Sequence, residues 1–462
     1  MRLNSLRNLG IELIALRPTS LDEIQKHLVK CDEIIEVGID IVMPRIGGYN
    51  ANPYDKELDM NELPRVTEIK ALWRWWLRTV YSACNCGEKN YKDLDNDVGM
   101  ILGSVSMSSK LALALTVVTN MKKVVVEQRN LKNYERVPRL KLLTHKKSEE
   151  EKKEILYIPE RVQAIISVYR NRGNIEEKEL KVTIATFMLS LLLGGLGSIS
   201  SRGFGSIIIR HVNINERYGE QLKEIVRYIT NILNSRSSKE LEERINEFVS
   251  YVINLVCEGK MCRADKLPEV PTLMPEKYFK LKAIEPNCSN VLDIIVAIGN
   301  ACLKASWKRL LNMEISGDKL HTWILGLPRG IKKTPKRAKG TGYVFGYALD
   351  EEGKNLGRRP SAIRLKYFEN NVGKRFIIIY GFLSRDWPLE NLYYLSPSTL
   401  SRKRREDVAS NKVEDMEVLT PDKNKRPCDL DNVFNVAFDF VIQYLSREAC
   451  KESRDVSRGR SP

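Results

Sequence analysis

The segment LLLGGLGSISSRGFGSIII, residues 191–209, places five glycines between two apolar runs. That much backbone freedom is used where φ turns positive or where something approaches the main chain closely. The order of elements around it constrains the fold. Before it, EEKELKVTIATFMLSLLLGG predicts a helix ending at Gly194, where glycine suits a C-cap; after it, GSIIIRHVNI predicts a strand. A nucleotide P-loop needs the strand first and a lysine after its last glycine, and neither condition is met. The dinucleotide fingerprint fails too, because Gly195, Gly197, Gly203 and Gly205 lack a third glycine at the required offset. What is left is a helix-to-strand connection of small residues, with Arg202 expected to be exposed on it. Such a loop can present successive backbone N–H groups to phosphate, with arginine as a charge-assisted clamp. A C-cap followed by a tight turn is the alternative, although Gly194 and Gly195 alone would satisfy it.

Upstream, EIIEVGIDIVM (33–43) predicts a strand, and a turn-rich stretch leads from Pro44 to Pro64. In RVTEIKALWRWWLRTVYSAC, Ile69, Leu72, Trp73, Trp76, Leu77 and Val80 form one apolar stripe at helical spacing. Strand candidates follow at 111–120 and 122–128, then a charged insertion, HKKSEEEKKE (145–154), and a further strand-like run, ILYIPERVQAIISVYR. Strand, helix, strand pair, helix, strand is the order of a ferredoxin-like (RRM-like) domain, in which an antiparallel four-stranded sheet carries two helices on one face. Two amphipathic helical segments occupy 213–267. The order then begins again: EKYFKLKAIE as a strand and NVLDIIVAIGNACLKASWKRLL as a helix, with TWILGLP, SAIRLKYFE and KRFIIIYGFL as strands and LDNVFNVAFDFVIQYLSREA as the closing helix. The expected class is α+β. Two ferredoxin-like domains, 1–212 and 268–449, flank a helical spacer at 213–267, and the polar tail 450–462 is expected to be disordered.

Net charge is +16, which favours an anionic partner such as nucleic acid; a generally basic surface without a dedicated partner is the rival reading. No run of about 18 apolar residues exists, and the N-terminal stretch is too polar for a signal peptide, so a cytoplasmic protein with no membrane partner is expected. The nine cysteines form no CxxC pair and are expected to be small buried residues in a reducing cell. Only His27, His145, His211 and His321 are available for acid–base work. A metal site and a histidine-dependent nuclease are both disfavoured, so no cofactor, metal or catalytic residue is assigned.

GGLGSISSRGFGSI resembles the glycine-rich loop of the RAMP superfamily of CRISPR-associated proteins, where it lies between the last helix and last strand of a ferredoxin-like domain. PRVTEIKALWRWWLRTV is similar to the first-helix signature of one branch, subunit one of the type III-B (Cmr) effector complexes, and ILGLPR and GRRPSAIRLK resemble segments of that branch's second domain. The resemblance implies an RNA-binding role without catalysis, near the 3′ end of the CRISPR guide RNA. Its partners would be that guide, the target RNA and other Cmr-family RAMP subunits. The rivals are a metal-independent RAMP endoribonuclease maturing guide RNA, and a protein-binding scaffold. The insertion near His145 and the basic run RKRR (402–405) depart from the family pattern.

Candidate RNA contacts follow from charge and spacing. Lys70, Arg74 and Arg78 stack along one helix face opposite the apolar stripe, with Trp75 beside them as a stacking surface. Ser198, Ser201 and Arg202 belong to the glycine-rich loop, and Arg45 to the turn RIGGYN. Lys336 and Arg337 lie in the basic stretch GIKKTPKRAKGTG, and Arg358, Arg359 and Arg364 surround Pro360 in the second-domain motif. Ordinary solvated surface is the alternative for each.

Overall fold

The computed structural model describes residues 32–44, 64–85, 87–118, 123–126, 156–171, 174–197, 199–258, 266–274, 277–288, 290–312, 319–326, 343–346, 360–385, 392–395 and 412–447. The first sheet is built on β1 (Asp32–Val42), whose branched residues bury on both faces. It pairs antiparallel with β5 (Arg161–Arg170) on one side and β6 (Ser206–Ile214) on the other, and β2 (Leu111–Val118) completes the sheet beside β5. The strand order is β2-β5-β1-β6, the four antiparallel strands expected from the sequence. β3 (Lys123–Val126) and β4 (Leu156–Pro159) pair only with each other, as a separate ribbon between β2 and β5.

Two long helices lie between the strands of this sheet in the chain. α1 (Val66–Cys84) starts with a capping box between Arg65 and Glu68 and buries Trp73, Trp76, Leu77 and Val80 completely. α3 (Glu177–Leu193) carries charge only near its start, and from Val182 to Leu193 every residue is buried on all sides. A helix without a polar face needs neighbours on every side. One is α1, whose Trp73 indole donates to the Thr183 carbonyl at 3.0 Å and packs on Phe187. The others come from the rest of the chain. A shorter helix, α2 (Tyr91–Leu102), follows α1 with Asn90 as its N-cap; the sequence reading did not anticipate it.

Helices α4 (Gly219–Leu233) and α5 (Ser238–Cys257) form the expected helical pair after β6. The second sheet is antiparallel, β7 (Phe279–Ile284), β10 (Arg375–Phe382) and β9 (Ile363–Glu369) in the order β7-β10-β9. A fourth strand was expected here, yet among the described residues the sheet has three. Helix α5 stands at the open edge of β7, where the Glu242 carboxylate accepts the Ala283 N–H at 3.2 Å, a bond a strand would otherwise make. The long helix expected at 290–311 is split into α6 (Val291–Ala301) and α7 (Lys304–Leu310), and TWILGLP is no strand: Thr322–Leu325 forms a 3-10 turn. The short pairs β8 (Tyr343–Gly346) with β11 (Leu392–Leu395), and β12 (Glu417–Leu419) with β13 (Lys425–Pro427), precede α8 (Leu430–Arg447). The Phe440 ring of α8 stacks on Trp307 at 4.5 Å. No described helix is long and apolar enough to cross a membrane.

The cysteine expectation is corrected in part. Cys302 and Cys428 are buried outside any disulfide, but Cys84 and Cys257 form a disulfide joining the ends of α1 and α5 across 173 residues. Isolated spacing along the chain could not reveal that the two helices end side by side.

The two sheets meet edge to edge. β9 runs parallel to the segment entering β6, with the Leu365 N–H donating to the Ser201 carbonyl at 3.1 Å and the Tyr367 N–H to the Ser206 hydroxyl at 3.1 Å. Farther along, an ion cluster joins them. Arg161 and Arg210 both donate to Asp40, at 2.7 and 2.6 Å, and both reach Glu369 of β9, at 3.1 and 2.6 Å. Burial pushes the Glu369 carboxyl up, but donation from Arg161, Arg210 and Tyr367 outweighs it and holds the group at about 2. A carboxyl depressed below its ordinary 4.5 stabilises the fold fully above that value and loses this contribution as pH falls toward 2. Glu369→Gln is therefore expected to lower the urea midpoint at pH 7, and to show a shallower further loss between pH 4.5 and 2 than the wild type. Parallel acid slopes in the two proteins would contradict this account of the cluster.

Candidate nucleic-acid interface

The glycine-rich segment sits where α3 ends, and its placement follows from an unmet need of that helix. The last four carbonyls of a helix have no partner inside it. In α3 these are buried with the helix end, so each must be met by protein. Gly194 N–H donates to Ser190; Lys366 of β9 donates through Nζ to Leu191 at 2.8 Å and also to Leu192; the Tyr380 hydroxyl of β10 donates to Leu193 at 2.5 Å. The accounting closes only with the second sheet in place. Burial pushes the Lys366 ammonium well below the usual lysine value.

The loop itself follows the same logic. Arg202, expected to be exposed, is 4% exposed. Its guanidinium donates to the Ile363 carbonyl at 2.9 Å, the Ser361 hydroxyl at 3.0 Å, the Leu325 carbonyl, and its neighbour Ser201 at 3.0 Å. The expectation of a free clamp is corrected: the acceptors at 325, 361 and 363 lie more than 120 residues downstream, which no local pattern could signal. Gly203, at φ +84°, explains a second glycine, since a Cβ there would come within 2.8 Å of Ile295 and 2.9 Å of Ile298 on α6. The glycines let the loop press against the second sheet's helices. Ser201, half-buried, contributes its carbonyl to β9.

The basic row on α1 is partly committed as well. Arg78 pairs with Asp95 of α2 at 3.0 Å and lies over the Tyr91 ring. Arg74 donates to the carbonyls of Leu102 and Gly103, capping the C-terminus of α2 with positive charge. Lys70 has no hydrogen-bond or carboxylate partner among the described residues. Burial, and then the charge of Arg74, pull its ammonium below the usual lysine value. Two adjacent cations thus stand half-buried without a carboxylate between them. Trp75 is half-buried rather than free: its edge meets Trp76 and Phe382, and the Arg364 guanidinium lies 4.1 Å from its ring centre. Two candidates from distant parts of the chain, Trp75 and Arg364, are therefore in contact. Arg45, Ser198, Lys336, Arg337, Arg358 and Arg359 lie outside the described residues, as do the insertion 145–154, the run 402–405 and the tail 450–462.

Residues 47–208, which include α1 and the glycine-rich loop and end in β6, match the RAMP superfamily. That match spans about a third of the chain. No curated protein sequence matches it. Among solved structures, a chain of a type III-B Cmr-beta complex bound to cognate target RNA and AMPPnP, in the presence of ssDNA, aligns with TM-score 0.55 at 16% identity. The alignment covers 89% of this chain and 100% of that one. A chain of Cmr-beta bound to cognate target RNA gives TM-score 0.54 at 16% identity over 90% and 100%. Cmr1 from Pyrococcus furiosus in its apo form gives TM-score 0.45 at 18% identity over 76% and 88%. The first two show a shared fold extending over nearly the whole chain.

The residues missed by sequence reasoning are those that join the sheets: Asp40, Arg161, Arg210, Lys366, Glu369 and Tyr380. A faint signal existed. Asp40 interrupts the apolar run of GIDIV, and Lys366 sits inside IRLKYFE, each a charge where a buried strand would favour an apolar side chain. Arg202→Ala is expected to destabilise the folded protein by about 3 kcal/mol, because buried carbonyls lose a charged donor. Lys70→Ala, which breaks no protein contact, is expected to leave thermal stability within about 0.5 kcal/mol of wild type. Equal stability of the two variants would refute the division between joint and surface.

Proposed function

We propose that this protein is a non-catalytic, RNA-binding subunit of a type III-B CRISPR effector, contacting the 3′ region of the guide RNA and helping to capture target RNA. Its partners in this reading are guide, target and other Cmr-family RAMP subunits, in the cytoplasm. The carrying observation is the cation pair Lys70 and Arg74 beside the Trp75–Arg364 stack. Like charges held together half-buried leave an attraction for an anion unmet, and phosphate supplies it. The neighbouring indole suits a base. The fold shared with chains of target-bound Cmr-beta complexes supports the reading. So does the β2-β5-β1-β6 order, which fits a ferredoxin-like domain at 1–212. The second such domain, at 268–449 beyond the spacer 213–267, is proposed on its β7-β10-β9 core. Arg45, Ser198, Ser201, Lys336, Arg337, Arg358 and Arg359 are proposed as further contacts from their place in the sequence.

Fluorescence anisotropy with unrelated single-stranded RNAs across a salt series tests this. Lys70→Ala is expected to weaken all of them by a similar factor and to reduce the salt slope by about 0.7, the share of one phosphate. Arg74→Lys, which keeps the charge, should hold the slope. Neither guide precursor nor target is expected to be cut by the purified protein. An unchanged slope in Lys70→Ala, or specific cleavage abolished by His211→Ala, would overturn the reading.

A further inference from the structure

The Tyr380 hydroxyl donates to the Leu193 carbonyl at the end of α3, and the register of the second sheet gives the same residue another neighbour. β9 and β10 pair antiparallel with Arg364 directly opposite Tyr380. Directly opposed residues share one face of a sheet, about 4.5–5.5 Å apart at Cβ. Phe382, two residues farther along β10, lies on that face as well. These side chains converge on α1. The Tyr380 ring meets Trp76 at 5.9 Å, the Phe382 ring meets Trp75 at 5.3 Å, and the Arg364 guanidinium lies over the Trp75 ring at 4.1 Å.

A phenol has a single proton to give. With that proton committed to Leu193, the Tyr380 oxygen can only accept from other directions. Arginine is its complement, carrying only donors in a rigid planar fork. Burial raises the Tyr380 hydroxyl above its ordinary value, and the Arg364 cation pulls it part of the way back, as a positive charge beside the oxygen must. The guanidinium thus has an indole beneath it and a phenol across the strand pair. It has no carboxylate partner among the described residues, and it is half-buried. A cation held between two fixed neighbours without a counter-charge keeps its plane and its charge for a ligand.

We propose that Tyr380 is a positioning residue for RNA, fixing the Arg364 guanidinium over Trp75 so that an unpaired base stacks on the guanidinium plane rather than on the indole. This rests on the RNA-binding reading above and names the surface that meets the base. The indole face that β9 reaches is already occupied by Arg364, so Trp75 acts from below as its support. A guanidinium plane stacks a base and offers its edge N–H groups to phosphate at the same time.

Fluorescence anisotropy with a labelled, mixed-sequence single-stranded RNA tests this on the full chain, at a temperature where circular dichroism shows each variant folded. Tyr380→Phe keeps the ring against Trp76 and removes only the hydroxyl. It is expected to weaken RNA binding about threefold, and Arg364→Ala about tenfold. In the Arg364→Ala background, Tyr380→Phe should change affinity no further, because the group it positions is gone. Its cost in melting temperature should persist in both backgrounds, since the Leu193 carbonyl loses its donor in each. A residue that only held the seam would weaken RNA binding equally in both backgrounds, and that outcome overturns the proposal. Wild-type affinity in Tyr380→Phe or in Arg364→Ala overturns it too. Arg364→Lys keeps the charge and loses the plane, so its affinity should fall close to that of Arg364→Ala while the salt slope stays at the wild-type value. Should Tyr380→Phe fail to fold, wild-type affinity in Arg364→Lys is the result that overturns the proposal. If the wild-type chain binds no RNA, the RNA-binding reading fails and the positioning role falls with it. If it binds RNA and only the coupling is absent, the reading stands and the positioning role alone is lost.

Discussion

Four carbonyl oxygens at the end of a buried helix set the terms for the rest of this structure. From Val182 onward helix α3 is buried on all sides, so it cannot lie on a surface, and its C-terminus cannot be wetted. Lys366 and Tyr380 meet three of those oxygens from the second sheet, and Gly194 meets the fourth. Separating the sheets would leave these acceptors, and the Arg202 donor, without partners in an apolar interior, at about 1–3 kcal/mol for each group. Opening the seam therefore costs these polar contacts in addition to the packing of Trp75 and Trp76 on Tyr380 and Phe382.

The glycine-rich loop gains its meaning from this. Its small residues let the connection from α3 to β6 fit under α6 and along β9, with Arg202 as the staple. The surface beside it then collects side chains from both parts of the chain, Lys70, Arg74 and Trp75 from α1 and Arg364 from β9. Any ligand held there contacts the product of the seam, since Arg364 reaches Trp75 only when β9 is docked.

Much of the scaffold was legible in the sequence because its periodicities are strong. The stripe Ile69–Val80 places α1 and its buried tryptophans, and the apolar run before Gly194 places a fully buried helix. Alternation in SIIIRHVNI gave a strand. The site was less legible, because its charges are partnered across long separations. Arg202 resembled a free loop arginine until its acceptors at 325, 361 and 363 were in place, and Trp75 appeared solvent-facing until Arg364 covered it. Helix α2 escaped notice since YKDLDNDVGMIL buries only a narrow strip, and TWIL is a run too short for its periodicity to separate strand from 3-10 turn.

The bond between Cys84 and Cys257 also changes what kind of object the chain is. It closes residues 84–257 into a covalent ring that contains α2, β2, β5, α3, β6 and the α4–α5 pair, while β1 and α1 precede it and the second sheet follows it. The central strand of the first sheet is therefore threaded between neighbours that are both members of the ring. The charged insertion at 145–154 lies within the same loop of chain, so its length can vary without altering which elements the ring encloses.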